Sequence, residues 1–256
     1  MDPERVEAYL RRIGADRPAA PGAGELRDLQ LRHLRTVPFE NLAIHRGEDI
    51  VLRETALVDK VLSGGRGGFC YELNGAFAAL LRALGYDVEL LAARVHGPDG
   101  VGIPYDHLAL RVHTPTGPWL ADVGFGKFSH HPLRLDSRTD QPDPGGVFRI
   151  EETPDGDLDV LQDGTPQYRL EQRPRRLRDF EVGCWWHRTS PKSHFTRSLV
   201  CSRLTETGRI TLSGRTLVIT DSDGGREQHE LSDAETLRAY RTHFGIALQS
   251  LPTVRG

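Results

Sequence analysis

The chain contains 256 residues, of which 38% are hydrophobic and 27% charged, which supports a folded core and excludes intrinsic disorder. Its 33 basic and 36 acidic residues leave a net charge of −3 without a dense basic run, which argues against a nucleic-acid partner. No apolar run approaches the roughly 20 residues needed to cross a bilayer, and the N-terminal segment lacks the apolar centre of a signal peptide. We therefore expect a cytoplasmic protein with no membrane partner.

The three cysteines, Cys70, Cys184 and Cys201, are an odd number at wide spacing. This pattern fits neither a disulfide framework nor a zinc-binding CxxC motif, so each is predicted to be a free thiol and no metal site is expected. Cys184 and Cys201 lie in segments with other apolar residues and are predicted to be structural.

Apolar residues recur every three or four positions in four stretches of the first 85 residues, which predicts a helical bundle. Asp2 and Pro3 are typical of a helix start, and Gly14 and Gly85 are typical of helix ends. The four helices are predicted to run from Pro3 to Gly14, from Glu25 to just before Pro38, over Glu54–Leu62, and from Cys70 to Gly85.

Beyond Gly85 the apolar residues form short runs bounded by Gly, Pro and Asp, which is typical of β-strands. Strands are predicted at 88–95, 107–113, 119–124, 147–150, 158–162 and 168–171, forming a meander or small barrel with a surface loop at 135–146. A smaller mixed segment follows, with strands at 198–204, 209–212 and 216–220 and a helix from Ser232 to about Phe244. Helices followed by strands indicate an α+β fold.

The segment RGGFCYELN, residues 66–74, places a cysteine where a helix begins. Gly67 and Gly68 allow a tight turn and a close approach to a ligand. The unpaired N–H groups and the dipole of the helix start favour a thiolate on Cys70. This is a typical position for a nucleophile, although a free cysteine is equally often a small buried hydrophobic residue.

A thiolate nucleophile needs a base, and the base needs a third group that orients it. His107 begins one predicted strand and Asp122 lies near the end of the next, so adjacent strands can bring them together beside Cys70. Asp106 is a second candidate, but neighbours on a strand point to opposite faces, which favours Asp122. The alternative for Asp122 is a structural role, in which it binds turn amides ahead of Gly124.

Five sequence blocks resemble the arylamine N-acetyltransferase family, in family order and across nearly the whole chain. They are PFENL at 38–42, RGGFCYELN at 66–74, the strand that begins at His107, DVGFG at 122–126, and FTRS at 195–198 followed by LSGRTL. RGGxC alone is a weak signal, whereas five ordered blocks are specific.

The resemblance implies an N-terminal helical bundle over 1–85 that carries the cysteine, a central β-barrel over 86–190 that carries histidine and aspartate, and a C-terminal α/β lid over 191–256. It also implies a catalytic triad of Cys70, His107 and Asp122, similar to that of cysteine proteases. Acetyl-CoA is then the co-substrate, with no tightly bound cofactor. The acceptor is an arylamine, a hydrazine or an N-hydroxyarylamine.

The implied reaction has two steps. The Cys70 thiolate, paired with the His107 imidazolium, takes the acetyl group from acetyl-CoA, and an amine then attacks the acetyl-cysteine with His107 as general base. Backbone N–H groups near Cys70 are expected to stabilise the oxyanion of each step. Glu40 and Arg66 are expected to form a buried pair that braces the cysteine loop, as similar positions do in the family, and a surface salt bridge is the alternative.

Aromatic residues in or beside the matching blocks predict an acceptor pocket, because arylamines are flat and apolar. The candidates are Phe39, Phe69, Tyr71, Phe125, Phe128 and Phe195. Phe39 and Phe125 are the first choices, and each of the candidates can equally belong to the core. For CoA, the loop of Gly124, Gly126 and Lys127 offers backbone N–H groups and an ammonium that can hold a phosphate.

Three other functions share part of this pattern. An amide synthase of polyketide biosynthesis has the same fold and triad but closes a macrolactam from a carrier-bound acyl chain, and residue types alone do not exclude it. His194 stands where a small polar residue such as Asn is expected, which leaves donor and acceptor preference open. A cysteine protease or transglutaminase-like enzyme also uses Cys-His-Asp, but the PFENL and DVGFG blocks argue against it. A non-catalytic binding protein is disfavoured because all three triad residues are present.

Overall fold

The computed structural model describes residues 1–254. Its α-helices are α1 (Pro3–Ile13), α2 (Ala23–Thr36), α3 (Leu42–Arg46), α4 (Glu54–Leu62), α5 (Cys70–Ala83), α6 (Glu181–Thr189), α7 (His194–Arg197) and α8 (Asp233–Phe244). The four predicted N-terminal helices are confirmed as α1, α2, α4 and α5, and the predicted C-terminal helix as α8. In this part of the chain, no helix is both long and apolar enough to cross a membrane.

The ends of α1 follow from its sequence. Asp2 Oδ1 accepts a hydrogen bond of 2.8 Å from Arg5 N, which caps the first turn, and Gly14 ends the helix with a φ of 67°. The buried face of α1 carries Val6 and Tyr9, and it packs against α2, α4 and α5. Because α5 is buried along most of its length, it forms the centre of the helical layer.

The strands are β1 (Phe39–Glu40), β2 (Asp87–Gly97), β3 (Gly100–Val101), β4 (His107–Thr114), β5 (Gly117–Ala121), β6 (Leu133–Arg134), β7 (Gln141–Asp143), β8 (Gly146–Glu152), β9 (Leu158–Gln162), β10 (Thr165–Arg175), β11 (Val200–Leu204), β12 (Gly208–Ser213), β13 (Thr216–Asp221) and β14 (Arg226–Glu230). The large sheet is antiparallel in the order β6-β5-β4-β2-β10-β9-β8-β7, and β3 pairs with β2. Each strand predicted from the sequence overlaps one of these.

The large sheet is a nearly closed barrel, and its two end strands are joined by a side chain. Gln141 of β7 accepts a hydrogen bond of 2.6 Å from Arg134 N of β6 and donates one of 3.0 Å to Arg134 O. An apolar core with Phe148, Tyr168 and Leu170 lies inside this sheet. The mixed helical and barrel architecture is therefore the predicted α+β fold.

A second antiparallel sheet has the order β1-β11-β12-β13-β14, and α8 packs on it. Its first strand comes from the PFENL block, where Phe39 pairs with Ser202 and Glu40 with Cys201. The N-terminal part of the chain therefore contributes a strand to the C-terminal sheet, which the helical pattern did not predict. The division of the chain at residues 85 and 190 remains a prediction.

Two predicted boundaries are wrong for local reasons. The strand predicted at 119–124 ends at Ala121, because the Asp122 side chain accepts a hydrogen bond from Gly124 N and turns the backbone. The loop predicted at 135–146 contains β7, a short edge strand built around Pro142.

Candidate active site

Cys70 lies at the first position of α5, below the turn that Gly67 and Gly68 form. Its side chain is buried, and the residue is only 4% exposed. Gly67 is required at its position, because an added Cβ would lie 1.7 Å from the Pro38 carbonyl oxygen. At Gly68, an added Cβ would meet the side chain of Glu72. The cysteine turn is thus packed tightly between the PFENL block and the first turn of α5.

The surroundings of Cys70 favour the neutral thiol. Burial raises the pKa of the Cys70 thiol well above its ordinary value, a hydrogen bond from the Leu108 backbone N–H opposes this rise, and the charge of Asp122 adds to it. A thiolate at this position therefore requires a cation beside it.

His107 and Asp122 form a buried pair. Nε2 of His107 lies 2.6 Å from Oδ2 of Asp122, and the two side chains are 3% and 0% exposed. Asp122 also accepts hydrogen bonds from Asn74 Nδ2 at 2.8 Å, from Gly124 N at 2.9 Å and from the Tyr168 hydroxyl at 3.3 Å. Because Nε2 is held by the carboxylate, Nδ1 is the ring nitrogen left for proton exchange.

The turn that follows Asp122 lies directly against the cysteine. An added Cβ at Gly124 would come within 2.7 Å of Cys70 Cα and 2.8 Å of Asn74 Nδ2. Asn74 also accepts a hydrogen bond of 2.9 Å from Val123 N and donates one of 2.6 Å to Leu108 O. The start of α5, the start of β4 and the turn after β5 therefore meet at one point.

A network of buried charges lies behind the cysteine turn. Arg66 Nε donates to Glu40 Oε1 at 2.9 Å, and Lys60 Nζ donates to Glu72 Oε1 at 2.6 Å. Burial alone would raise the pKa of Glu40, but Lys60 and Arg66 outweigh it and hold that pKa below its ordinary value. The expected Glu40–Arg66 pair is thus present and mostly buried, not a surface salt bridge.

The pKa of Glu72, in the same network, is shifted in the opposite direction. Burial raises the pKa of Glu72, Lys60 opposes the rise, and the nearby charge of Glu40 adds to it. Glu72 Oε2 also accepts a hydrogen bond of 3.2 Å from Phe69 N, which caps the start of α5. The network therefore fixes the turn from which Cys70 projects.

Cys70 and His107 border one cavity of about 530 Å³. Three of the predicted substrate residues, Phe39, Phe125 and Phe195, line it, and Gly124 lies at its wall. The ring of Phe125 is 5.0 Å from the ring of His107, measured between centroids. An apolar cavity with a few polar groups is suited to a flat aromatic ligand.

The other predicted site residues lie elsewhere. Phe69 and Tyr71 are fully buried below the cavity, with ring centroids 5.0 Å apart. Phe128 and Lys127 line a second cavity of about 480 Å³, which the barrel forms with β11, β12 and β13. Gly126 lies in the turn between the two cavities, with a φ of 90°.

The second cavity is lined by several basic side chains. They include Lys127, Arg35, His130 and Arg209, and the acidic residues Glu206 and Asp221 line the same cavity. Burial lowers the pKa of Arg209 to about 10, and its Nη1 donates a hydrogen bond of 3.1 Å to Ser202 Oγ. Within residues 1–254, no carboxylate forms an ion pair with Lys127 or Arg209. In the same range, no three His, Cys, Asp or Glu side chains are grouped as a metal site.

Sequence reasoning missed several polar residues around the pair of His107 and Asp122. Asn74 stands four residues after Cys70, and this helical spacing was an available signal. Tyr168 of β10 and Gln30 of α2, whose Oε1 accepts a hydrogen bond of 3.2 Å from Asp122 N, lie far away in sequence. Nothing local marks them as neighbours of Asp122.

A family model described as N-acetyltransferase matches residues 24–253 of this chain. An arylamine N-acetyltransferase of Mycolicibacterium smegmatis is 35% identical over 255 residues, covering 95% of this chain and 92% of the relative. A Salmonella typhimurium protein named arylamine N-acetyltransferase / N-hydroxyarylamine O-acetyltransferase is 31% identical, covering 96% and 90%. These similarities extend over nearly the full length of each chain.

The fold is also similar to solved structures of arylamine N-acetyltransferases. An arylamine N-acetyl transferase of M. smegmatis superimposes with a TM-score of 0.88 at 35% identity, covering 97% of this chain and 93% of that one. An arylamine N-acetyltransferase of Mycobacterium marinum in complex with CoA gives a TM-score of 0.86 at 34% identity, covering 94% and 92%. The likeness therefore includes a protein that binds CoA.

Proposed function

The chain belongs to the arylamine N-acetyltransferase family, and from this premise we propose that Cys70, His107 and Asp122 are its catalytic triad. The activity is acetyl-CoA-dependent acetylation of arylamines, with acetyl-CoA as co-substrate. The observation that supports the triad is the 2.6 Å contact between His107 and Asp122 in a cavity that Cys70 also borders. A cytoplasmic location and the lack of a nucleic-acid partner are part of the same proposal.

The first step forms an acetyl-enzyme. The Cys70 thiol passes its proton to Nδ1 of His107, and the resulting imidazolium supplies the cation that a buried thiolate requires. The thiolate then attacks the acetyl carbonyl carbon of acetyl-CoA. When the tetrahedral intermediate breaks down, the C–S bond to CoA is cleaved and the CoA sulfur takes the proton from His107. Asp122 stabilises the imidazolium throughout and remains ionised.

The second step transfers the acetyl group to the amine. The acceptor nitrogen attacks the thioester carbon while His107 removes a proton from it. The C–S bond to Cys70 then breaks and the N-acetyl product leaves. Both intermediates carry an oxyanion, for which the backbone N–H groups of Cys70 and Tyr71 are the proposed donors, because the first N–H groups of a helix have no preceding turn to bond to.

The acceptor is proposed to lie between Phe39, Phe125 and Phe195. These rings line the cavity beside His107, and the contact of Phe39 with Phe195, 6.0 Å between centroids, forms an aromatic wall. Asn41 supports this wall, because its Nδ2 donates a hydrogen bond of 3.0 Å to Phe195 O. Aromatic faces of this kind suit arylamines, aromatic hydrazines and N-hydroxyarylamines.

For the donor, we propose that the phosphates of CoA contact the loop at 124–127 and the second cavity. The N–H of Gly124 is bonded to Asp122, so Gly126 and Lys127 are the loop residues left for a phosphate, and Lys127 lines the second cavity. Arg209 supplies a second cation there without an acidic partner in residues 1–254. An unpaired cation in a partly enclosed cavity is a suitable phosphate contact.

The deciding experiment uses the purified chain and acetyl-CoA without an amine. We expect intact mass to rise by one acetyl group, peptide mapping to place it on Cys70, and added aniline to discharge it. Cys70→Ala should take no label, whereas Cys184→Ala, which removes another buried thiol, should still be acetylated. An acetyl group on a different residue, or none at all, would contradict the proposed triad.

A further inference from the structure

A second pair of histidine and aspartate lines the same cavity as Cys70. His187 Nε2 lies 3.0 Å from Asp106 Oδ1, and both residues border the cavity. Their side chains are 7% and 13% exposed, so the pair is largely shielded from bulk water. The two catalytic steps described above use neither residue.

The His187 ring is held from two sides. Its Nδ1 lies 3.2 Å from Ser193 Oγ, which in turn accepts a hydrogen bond of 3.2 Å from Phe195 N. The ring also packs against Trp186 and Phe195, at centroid distances of 5.0 and 5.2 Å. The Nε2 atom lies 3.1 Å from the backbone carbonyl oxygen of Asp106 as well as 3.0 Å from its Oδ1, so it contacts the main chain and the side chain of that residue.

The Asp106 carboxylate fits into a prepared space. Its Oδ2 accepts a hydrogen bond of 3.2 Å from Val95 N, and an added Cβ at Gly102 would lie 2.3 Å from that oxygen. The backbone carbonyl of Asp106 accepts a further hydrogen bond of 3.1 Å from the Tyr71 hydroxyl. An ionised carboxylate offers about four acceptor positions. His187 contacts Oδ1 and Val95 bonds to Oδ2, so acceptor capacity remains on both oxygens of a residue that lines the cavity.

We propose that Asp106, held in place by His187, is a second anchor for the acceptor and selects amines that carry another N–H-bearing or ammonium nitrogen besides the one that is acetylated. Aromatic diamines are the chemical class that meets this requirement. The inference rests on the proposed function, because it concerns the acceptor of the same cavity. Charge-assisted hydrogen bonds are about twice as strong as neutral ones, and they strengthen where water is excluded.

The remaining surroundings make such an anchor selective. Near the triad the cavity wall is aromatic, formed by Phe39, Phe125 and Phe195. The other carboxylate among the residues that line the cavity, Asp99, is exposed, so water screens its charge more than that of Asp106, and Lys192 and His194 also line the cavity. Asp106 and His107 line the same cavity, so one acceptor molecule can contact both residues. A simple aniline gains nothing from this contact.

The test compares two acceptors that differ in one group, 4-methylaniline and 4-(aminomethyl)aniline. We expect Asp106→Asn to lower the ratio of kcat/KM for the diamine over the methyl compound by 10-fold or more. The amide of Asn is isosteric and keeps an oxygen for the existing contacts, and thermal unfolding checks the fold. Glu181→Gln is the control, because it removes a negative charge from the exposed side of α6 and should leave the ratio unchanged.

Binding gives a second measurement that does not depend on turnover. In the Cys70→Ala background, titration calorimetry should show that Asp106→Asn weakens binding of the diamine but not of 4-methylaniline. Equal effects on both acceptors, in turnover or in binding, would overturn the role of Asp106. If the wild-type chain takes no acetyl group from acetyl-CoA, the proposed function is contradicted. The calorimetric comparison then still tests whether Asp106 binds the diamine.

Discussion

Asn74 Nδ2 donates a hydrogen bond of 2.8 Å to Asp122 Oδ1, from a position one turn after Cys70 in the same helix. The same amide nitrogen donates to Leu108 O at 2.6 Å, and Asn74 Oδ1 accepts from Val123 N at 2.9 Å. One buried side chain therefore ties the helix of the proposed nucleophile to the strand that carries the base and to the turn that carries the acid.

From this arrangement, Asn74→Ala is expected to reduce stability by about 2–4 kcal/mol, because it leaves buried partners without hydrogen bonds. The rate of Cys70 acetylation per folded molecule should fall by roughly 10-fold or more, since the alignment of Asp122 is lost. Thr236→Ala is the matched control, because it removes a buried hydrogen bond of 2.8 Å in α8, remote from the site. Urea unfolding and mass-detected acetylation measure the two effects. Equal activity per folded molecule in both variants would contradict this role of Asn74.

The parts of the site that follow from local pattern could be predicted from the sequence. Cys70 follows two glycines and precedes an apolar helix, and strand alternation correctly separated Asp122 from Asp106 as the partner of His107. The partner of Asp106 could not be predicted, because His187 approaches it from a helix 81 residues further along the chain. Contacts at such separation leave no trace in local spacing.

The secondary structure likewise divides into elements that local pattern predicts and elements that it does not. Helices with a regular apolar face were predicted, whereas α6 was not, because Val182 and Trp185 are exposed while Gly183 and His187 are buried. This arrangement reverses the usual relation between polarity and burial, so apolar periodicity cannot reveal it. The two-residue strand β1 was also missed, because its pairing with β11 is set by tertiary contact alone.

The raised pKa of the Cys70 thiol predicts how its reactivity depends on His107. With His107 present, the ion pair should permit alkylation by iodoacetamide near neutral pH. In His107→Ala, burial holds the thiol protonated, so alkylation at pH 7 should be at least 10-fold slower and should rise with pH into the alkaline range. His113→Ala, which changes a half-exposed ring near the far end of β4, is the control. Unchanged alkylation in His107→Ala would refute the ion pair.

Glu40 and Glu72 should give opposite pH dependences of stability. The folded pKa of Glu40 is lowered, so its ionisation stabilises the fold above the unfolded value of about 4.3 and this contribution is lost as pH falls through the folded pKa. The folded pKa of Glu72 is raised, so its ionisation costs stability at neutral pH. That cost shrinks once pH falls below the folded pKa and is gone below the unfolded value.

Urea unfolding of Glu40→Gln and Glu72→Gln between pH 7 and pH 3.5 measures both effects. The stability difference between wild type and Glu40→Gln should shrink toward low pH, whereas wild type should gain stability relative to Glu72→Gln over the same range. If the free energy of unfolding changes with pH in the same way for both variants, Glu40 and Glu72 do not have opposite effects on stability.

Gly124→Ala tests the contact between the turn after β5 and the start of α5. The new Cβ would lie 2.7 Å from Cys70 Cα, and backbone must move to accept it. We expect a loss of about 1–3 kcal/mol in stability and at least a 10-fold slower acetylation of Cys70. Gly24→Ala in α2 is the matched control, because no atom lies within 4 Å of its added Cβ and Ala favours a helix. Full activity in Gly124→Ala would mean that the turn tolerates displacement.

Arg209→Gln tests the proposed donor contact in the second cavity. Removing this cation should raise KM for acetyl-CoA by roughly 10-fold, because charge-assisted contacts to a phosphate contribute about 1.5–3 kcal/mol each. For S-acetyl-pantetheine, which has no phosphate, kcat/KM should stay unchanged, since Arg209 lies outside the cavity that Cys70 borders. Arg215→Gln is the control, because this exposed arginine pairs with Asp233 on the surface. If Arg209→Gln lowers kcat/KM by the same factor for acetyl-CoA and for S-acetyl-pantetheine, Arg209 supports the fold of the sheet and does not bind the phosphates of CoA.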